Sequence, residues 1–476
     1  MHGESPKSIR GRLMFEVSRK GKKWMSIVVA SAFIFGGGFG AEAADLGGDC
    51  CADLEERIAE LEATTARKGN RKVSLVIYGK VNQAAMSWDD GQEQNTYMVT
   101  NDASRSRFGF KGKAKISSDW SAYYKIEVGI RAGNSKRSNQ FDAIGTSGNP
   151  SKLDLRHSEW GLSSKTWGKL GVGLQKNITK DITKSNVAGT GDVGKYSDAE
   201  DSGGGFFLTA KGFKASTSGT QWRRLIARTG AAPGEGDRIE SVTYYTPVWH
   251  GFSIGAVWGG DDAGGIGALY NDKIGHVKVK AGIAYQQNTS NADISDLHGC
   301  PGRNAGRPIS NAKDADCSGI GGSIAVMDTH SGLYVQAAAG KMWDDTIQLQ
   351  SNFAGTNVSD EYSFWAMEAG LQRDWNHLGS TTLFGQYYRY QGGGINQTVD
   401  GVDPINTFGA DAKIFSSDVD FWGVGVMQKI DAAEMKLYSL YRHYEFDLQL
   451  ADGGVVQDSA PLEDFQVIMT GAVIYF

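Results

Sequence analysis

The stretch SRSRFGFKGKAKISSDWSAYYKIEVGI, Ser104–Ile130, carries two alternating segments back to back. From Trp120 onward one parity reads Trp120, Ala122, Tyr124, Ile126, Val128, Ile130, and the other reads Ser121, Tyr123, Lys125, Glu127, Gly129, Arg131. Successive side chains of a strand point to opposite faces, so this segment has one apolar and one charged face. The segment before it behaves alike: Phe108, Phe110, Ala114 and Ile116 share a face, and Arg105, Arg107, Lys111, Lys113 and Lys115 share the other. Two architectures accommodate such a hairpin. One is a half-buried soluble sheet. The other is a membrane barrel, apolar toward lipid and polar toward a wet lumen.

The rest of the chain discriminates between them. Of 476 residues, 64 are Gly and only 8 are Pro, and mean hydropathy is negative. Beyond residue 43 no segment has the roughly 20 apolar residues a membrane helix needs, a test that barrel strands escape because half of each is polar. Alternating segments recur from Val73 to Phe476, sixteen in all. Short connections (117–119, 164–167, 247–251, 272–275, 329–332, 376–379, 431–433) take turns with long ones (89–103, 132–154, 177–237, 259–265, 287–319, 344–361, 391–417, 451–462). A soluble barrel has no reason to gather its tight turns at one end. An outer-membrane barrel does, with short periplasmic turns and long external loops. The even count lets the last strand close on the first, leaving no free edge in lipid. The expected fold is therefore all-β: a 16-stranded antiparallel transmembrane barrel over residues 73–476.

Residues 1–43 read as a secretory signal: Arg19, Lys20, Lys22 and Lys23, then an apolar run, then Ala41-Glu42-Ala43 as cleavage pattern. Without them the chain keeps 42 basic against 51 acidic side chains, a net charge of −9 that argues against nucleic acid as a partner. Residues 44–72 carry Leu54, Ile58 and Leu61 at 4-3 spacing, a short periplasmic helix that either joins subunits as a coiled coil or lies singly against a neighbour. Cys300 and Cys317 share one Gly/Pro/Asn-rich stretch and are expected to staple it; adjacent Cys50 and Cys51 are left as free thiols or as links between chains. The expected metal and cofactor content is none, since no Cys/His spacing matches a zinc pattern. No nucleophile-base-acid set, paired carboxylates or phosphate loop stands at useful spacing, so no catalytic residue is assigned.

Four segments resemble the alphaproteobacterial general porin family: SRSRFGFKG (Ser104–Gly112), RHSEWGLSSKTWGKLGVGLQ (Arg156–Gln175), RIESVTYYTPVWHGFSIGAVW (Arg238–Trp258) and CCADLEERIAELEATTARKGNRK (Cys50–Lys72). The terminal Phe476, with Ile474, Ala472, Thr470 and Ile468 on its parity, resembles the assembly signal read by the barrel-assembly machinery, although Ile474 stands where an aromatic is usual. The resemblance implies a homotrimer in the outer membrane of a Gram-negative bacterium, in contact with lipid and lipopolysaccharide, passing ions and small hydrophilic solutes by passive diffusion. It also implies that the third loop, residues 177–237, folds inward and narrows the pore. On that reading Asp192, Asp198, Glu200 and Asp201 face a basic wall of Lys80, Arg105, Arg107, Lys111 and Lys125. The plainer alternatives are an external solvated loop and lumenal bases away from any narrowing. Other functions compatible with a barrel are an adhesin or structural tether and a barrel-borne enzyme.

Overall fold

The structure, a computed structural model, describes residues 72–131, 133–145, 152–215, 219–226, 232–259, 263–288, 317–344, 357–393, 413–452 and 455–476. The expected signal segment, the helix of residues 44–72 apart from Lys72, and Cys50, Cys51 and Cys300 lie outside them.

Eighteen strand segments follow in order: β1 (Val76–Asp89), β2 (Gln94–Thr100), β3 (Arg107–Lys115), β4 (Trp120–Ile130), β5 (Leu153–Ser164), β6 (Gly168–Lys176), β7 (Arg238–Tyr245), β8 (Phe252–Gly259), β9 (Ala263–Ile274), β10 (Val277–Asn288), β11 (Cys317–Asp328), β12 (Leu333–Asp344), β13 (Glu361–Asn376), β14 (Gly379–Gly392), β15 (Lys413–Ile430), β16 (Met435–Asp452), β17 (Val455–Asp458) and β18 (Phe465–Tyr475). They build sixteen staves. β2 and β3 are halves of one stave, pairing with the outer and inner parts of β1 and parted by a single 3-10 turn at Asp102–Ser104. β17 only extends the tip of β16. Residues 89–103, read from sequence as an open loop, therefore contain strand: β1 and β2 run past the break as a hairpin ribbon. All ladders are antiparallel, and β18 returns to β1 from Lys80↔Tyr475 to Asp89↔Gln466, which closes the sheet. Phe476 completes the closure, its N–H donating to Gly79 O at 3.1 Å and its carbonyl accepting from Gly79 N at 2.8 Å.

Alternation places the side chains as their chemistry requires. Ile254, Ile266, Ile283 and Ile324, on successive staves, point outward and stay about half exposed. In water such a belt would be an aggregation surface; in a bilayer it is the lipid face. Trp120, Trp160, Trp167, Trp249, Trp258, Trp375 and Trp422 also point outward. Trp88 does not. Its parity on β1 is that of Lys80 and Asn82, so it turns inward and packs on Phe206 at 4.7 Å between ring centroids.

The core thus lies inside the barrel, between residues 177–237 and the wall. Trp222 meets Tyr444 at 4.9 Å, and Phe206 meets Phe465 at 4.9 Å. Each aromatic pair adds about 0.5–1.5 kcal/mol beyond area burial, so an inward-folded loop is held by packing as well as by polar contacts.

Candidate functional site

The described residues of the segment 177–237 leave β6, run along the inner wall and rejoin at β7. Their backbone carbonyls and hydroxyl side chains are met by inward side chains of distant strands. Thr179 Oγ1 donates to Gln286 Oε1 on β10 (2.7 Å), Ser323 on β11 donates to Ile182 O (2.5 Å), and Thr190 Oγ1 donates to Glu368 on β13 (2.7 Å). Gln386 on β14 donates to Gly194 O (2.7 Å), and Tyr444 on β16 donates to Ala199 O (2.9 Å). Where the loop presses close to the wall, glycine is required. Gly234 has φ +78°, and a Cβ there would fall 2.1 Å from Ile320 O.

Arg442 is the central fastener. It is fully buried on β16, with its guanidinium over the Phe421 ring at 4.5 Å. It donates to Gln386 Oε1 (2.9 and 3.1 Å) and to three loop carbonyls: Lys195 (2.6 Å), Asp198 (3.3 Å) and Ala199 (3.4 Å).

The loop acids are placed differently from a simple row facing a basic wall. Asp198, Glu200 and Asp201 converge in one buried group, their nearest oxygens within 4.8 Å of one another. That geometry could suit a cation, but three lysines already supply the counter-charge. Lys184 and Lys195 reach Asp198 (2.8 and 2.9 Å), Lys195 reaches Asp201 (3.0 Å), and Lys136 from residues 131–152 reaches Glu200 (2.9 Å). Burial raises the Asp198 carboxyl, but Lys184 and Lys195 outweigh it and hold the group below the usual range. Glu200 is pushed up to about 7 by burial, with Asp198 and Asp201 adding to it against Lys136. Lysines near these three acids in the two loops are thus their ion-pair partners, where the expectation was of acids facing the wall bases Lys80, Arg105, Arg107, Lys111 and Lys125 across the lumen.

Asp192 does meet the wall. It accepts from Lys80 on β1 (3.0 Å), from Lys436 on β16 (2.5 Å) and from the Tyr475 hydroxyl on β18 (2.5 Å). Among the other wall residues, Arg105 pairs with Asp102 (3.2 Å) and Asp154 (3.5 Å). Arg107 and Lys125 pair with Glu127 (3.5 and 3.6 Å). Lys111 lies over the Tyr78 ring at 4.9 Å and takes no part in the enclosed space described next.

That space is a cavity of about 420 Å³ between the loop and the wall of β3, β5 and β7. Arg105 and Arg107 line it on one side and Asp198 and Asp201 on the other, while Glu200 stands behind them. Lys136, Arg156, Lys184, Lys195 and Arg238 also line it. Sequence reasoning passed over these five. Two were within reach: Lys184 and Lys195 stand among the loop's acids, and one sign of charge was read there without the other. Arg442 had a signal too, as a lone cation in the inward row Tyr438, Leu440, Tyr444 and Phe446.

A closed sixteen-stave barrel with a long segment bonded to its inner wall is the geometry on which the comparisons bear. A model of the Gram-negative porin family matches residues 40–458. The chain belongs to the Gram-negative porin family. No curated protein sequence matches it. Solved structures of similar fold include an anion-selective porin from Comamonas acidovorans (16% identity, 85% of this chain and 100% of that one, TM-score 0.49). Others are Salmonella typhi OmpF in complex with daunomycin (15%, 85% and 98%, 0.48) and the outer membrane channel DcaP of Acinetobacter baumannii (12%, 86% and 99%, 0.45). As a porin, the protein is an integral outer-membrane barrel whose water-filled lumen passes ions and small hydrophilic solutes by passive diffusion.

Proposed function

We propose that residues 177–237 form the constriction through which every solute passes, and that the cavity against β3, β5 and β7 is its narrowest section. The observation that carries this reading is the row of hydrogen bonds from the loop to the inner wall, from Gln286 on β10 to Tyr444 on β16. Gly191 lines the cavity, and a Cβ there would meet nothing nearer than Asn186 Nδ2 at 3.8 Å. Gly191→Cys labelled with a bulky thiol reagent should therefore cut single-channel conductance. The same label at Lys115→Cys, beside the short turn, should not. Unchanged conductance after labelling at residue 191 would mean that the loop does not bound the current path.

The assembly we propose is a homotrimer, the state the general-porin resemblance implies. It is supported by the outward face of the staves around the closing seam, where polar groups stand among apolar ones such as Val81, Leu437 and Ile474. Ser87–Thr96 (2.9 Å), Ser439–Thr470 (3.0 Å) and Tyr441–Gln466 (3.1 Å) bond to one another there. Hydroxyls facing lipid are unfavourable, and a second copy covers them; a monomeric mass by light scattering in detergent would refute this. Cys317 is buried, and a disulfide between it and Cys300 is the pairing we assign, which peptide mapping without reduction checks. Residues 1–43 as a removed export signal, 44–72 as a periplasmic helix and the alphaproteobacterial branch of the family remain our readings of the N-terminal segment; the first fails if the membrane-borne protein retains that segment on N-terminal sequencing.

Phe476 is proposed as the assembly signal. Deleting it also removes both closing hydrogen bonds to Gly79, so the truncated chain should reach the outer membrane as folded barrel at a small fraction of the normal level. Normal levels on gels of unheated membranes would refute the assignment.

A further inference from the structure

A second cavity, of about 430 Å³, lies beside the first residues of the inward loop, against β7–β10 and the short turn of residues 247–251. Small-molecule sites commonly span about 300–1,000 Å³. The wall here is cut back to glycine. Gly255, Gly265 and Gly267 make the surface on which Ile178 sits, and a Cβ at Gly255 would fall 2.4 Å from Ile178 Cδ1. Gly282 on β10 does the same for Ile182, with 2.7 Å to its Cδ1. Both isoleucines are buried. Ile178 joins Ile239 and Val257 in a small apolar cluster against which Leu269 and Tyr245 pack. The cluster does not fill the space between loop and wall. Gly251 and Gly282 put no side chain into that space, and Ile178, Ile182, Leu269 and Val248 present hydrocarbon to it.

The polar groups of this cavity are unevenly committed. Asp181 is the acid that lines it, and Lys176 and Lys184 already share that carboxylate. Lys180 is held by Glu235 and Asp237. What stays free is a set of donors. Lys280 on β10 has the inward parity of Gln286, which bonds the loop. It is exposed to the cavity and, among the described residues, has no ion pair or hydrogen bond. The hydroxyls of Tyr245 and Ser253 likewise bond to nothing among the described residues. A sugar would set its hydroxyls against Ile178 and Leu269 without partners, which is unfavourable. A cation would meet Lys280. An apolar body with one carboxylate suits both sides: hydrocarbon covers hydrocarbon, and a carboxylate accepts from an ammonium and from hydroxyls at once.

We propose that this cavity binds small carboxylates with an apolar body, aromatic acids among them. The hydrocarbon lies on Ile178, Ile182 and Leu269, and Lys280 holds the carboxylate, with Tyr245 and Ser253 as further donors. The apolar body decides the binding, so a bare anion of the same charge gains little. The cavity shares Lys176, Lys180, Asp181 and Lys280 with the one described above. An occupant therefore stands beside the current path, a point that rests on the constriction reading.

The test uses the full-length folded protein with benzoate and acetate as probes. Titration calorimetry in detergent, with protein-free micelles as blank, should find benzoate bound more tightly by about tenfold or more, as burial of one ring implies. Lys280→Gln should weaken benzoate about three-fold, the worth of a partly exposed ion pair. Ser253→Trp, which fills the cavity from the wall, should abolish the preference for benzoate. Leu269→Asn, which keeps the size and removes the apolar surface, should do the same and guards against a folding defect in the Trp variant. Lys115→Gln should change neither affinity. In planar bilayers millimolar benzoate should interrupt the single-channel current, and acetate should not. Equal affinity for the two acids, or benzoate binding unchanged in both Ser253→Trp and Leu269→Asn, would overturn the site. Binding without any effect on the current, in a channel whose conductance still falls on labelling Gly191→Cys, would overturn its place beside the path. Binding intact, with neither label nor benzoate altering the current, would overturn the constriction reading and uphold the site.

Discussion

Arg442→Ala is expected to release residues 177–237 from the wall. The substitution removes five hydrogen bonds of 2.6–3.4 Å to Gln386 and the loop carbonyls, and with them the cation over Phe421. A hydrogen bond with one charged partner contributes about 1.5–3 kcal/mol, and the carbonyls of Lys195 and Asp198 lose a buried donor. Tyr444 still holds Ala199 O, and the aromatic packing around Trp222 remains, so the barrel should fold while the loop's first half detaches. The expected signs are a larger and noisier single-channel conductance and new protease cleavage between residues 177 and 205. Lysine at this position should rescue little, because a single ammonium cannot span Gln386 and three carbonyls in the plane that the guanidinium provides. Conductance and cleavage identical to those of the natural protein would show that packing alone seats the loop.

The second large effect belongs to Asp192. Asp192→Asn leaves Lys80 and Lys436, at 13% and 12% side-chain exposure, without their common carboxylate. Removing one member of a largely buried ion pair costs about 3 kcal/mol where water has some access, the low end of the usual range. The denaturation midpoint should fall accordingly, and the two released lysines should raise anion preference, read from reversal potentials under a salt gradient. Acid provides a second check. Burial works to raise the Asp192 carboxyl, but Lys80 and Lys436 outweigh it and hold the group well below the ordinary range. A depressed carboxylate stabilises the fold fully above its unfolded pKa, about 3.9, and loses that contribution only as pH falls through the lower folded value. The natural channel should thus keep its conductance at pH 4, and the Asn variant should lose this part of the acid dependence.

Much of this architecture is legible in alternation. Period-two patterning over Ser104–Ile130 assigns the outward apolar face and the inward charged face, and the rhythm of short and long connections distinguishes one barrel end from the other. Where the reading stops is equally physical. Parity tells which face a side chain is on, not its height or its opposite number. Arg107 and Lys111 share a parity, yet the first lines the cavity and the second lies over Tyr78. Trp88 looks like an interfacial tryptophan until Phe206 arrives from more than a hundred residues away. The acids of residues 198–201 read as facing the basic wall, until Lys136 and Lys184 come in from both sides. Lys80 and Asp192 were each legible as wall and loop charges, but their contact depends on a fold across 112 residues.

The contacts of Asp192 also impose an order on assembly. Its three partners come from the first strand, the next-to-last stave and the last: Lys80, Lys436 and Tyr475. Until β18 has paired with β1 these groups do not lie side by side. A nascent sheet with fifteen staves therefore has a third loop lacking one of its anchors, and a seam lacking the carboxylate that neutralises its two lysines. Such long-range contacts form late, since closing a large loop costs entropy before any bond rewards it. The loop's last anchor and the closure of the wall thus form together, so a time course of refolding should find full protease protection within residues 177–205 only once β1 and β18 have paired.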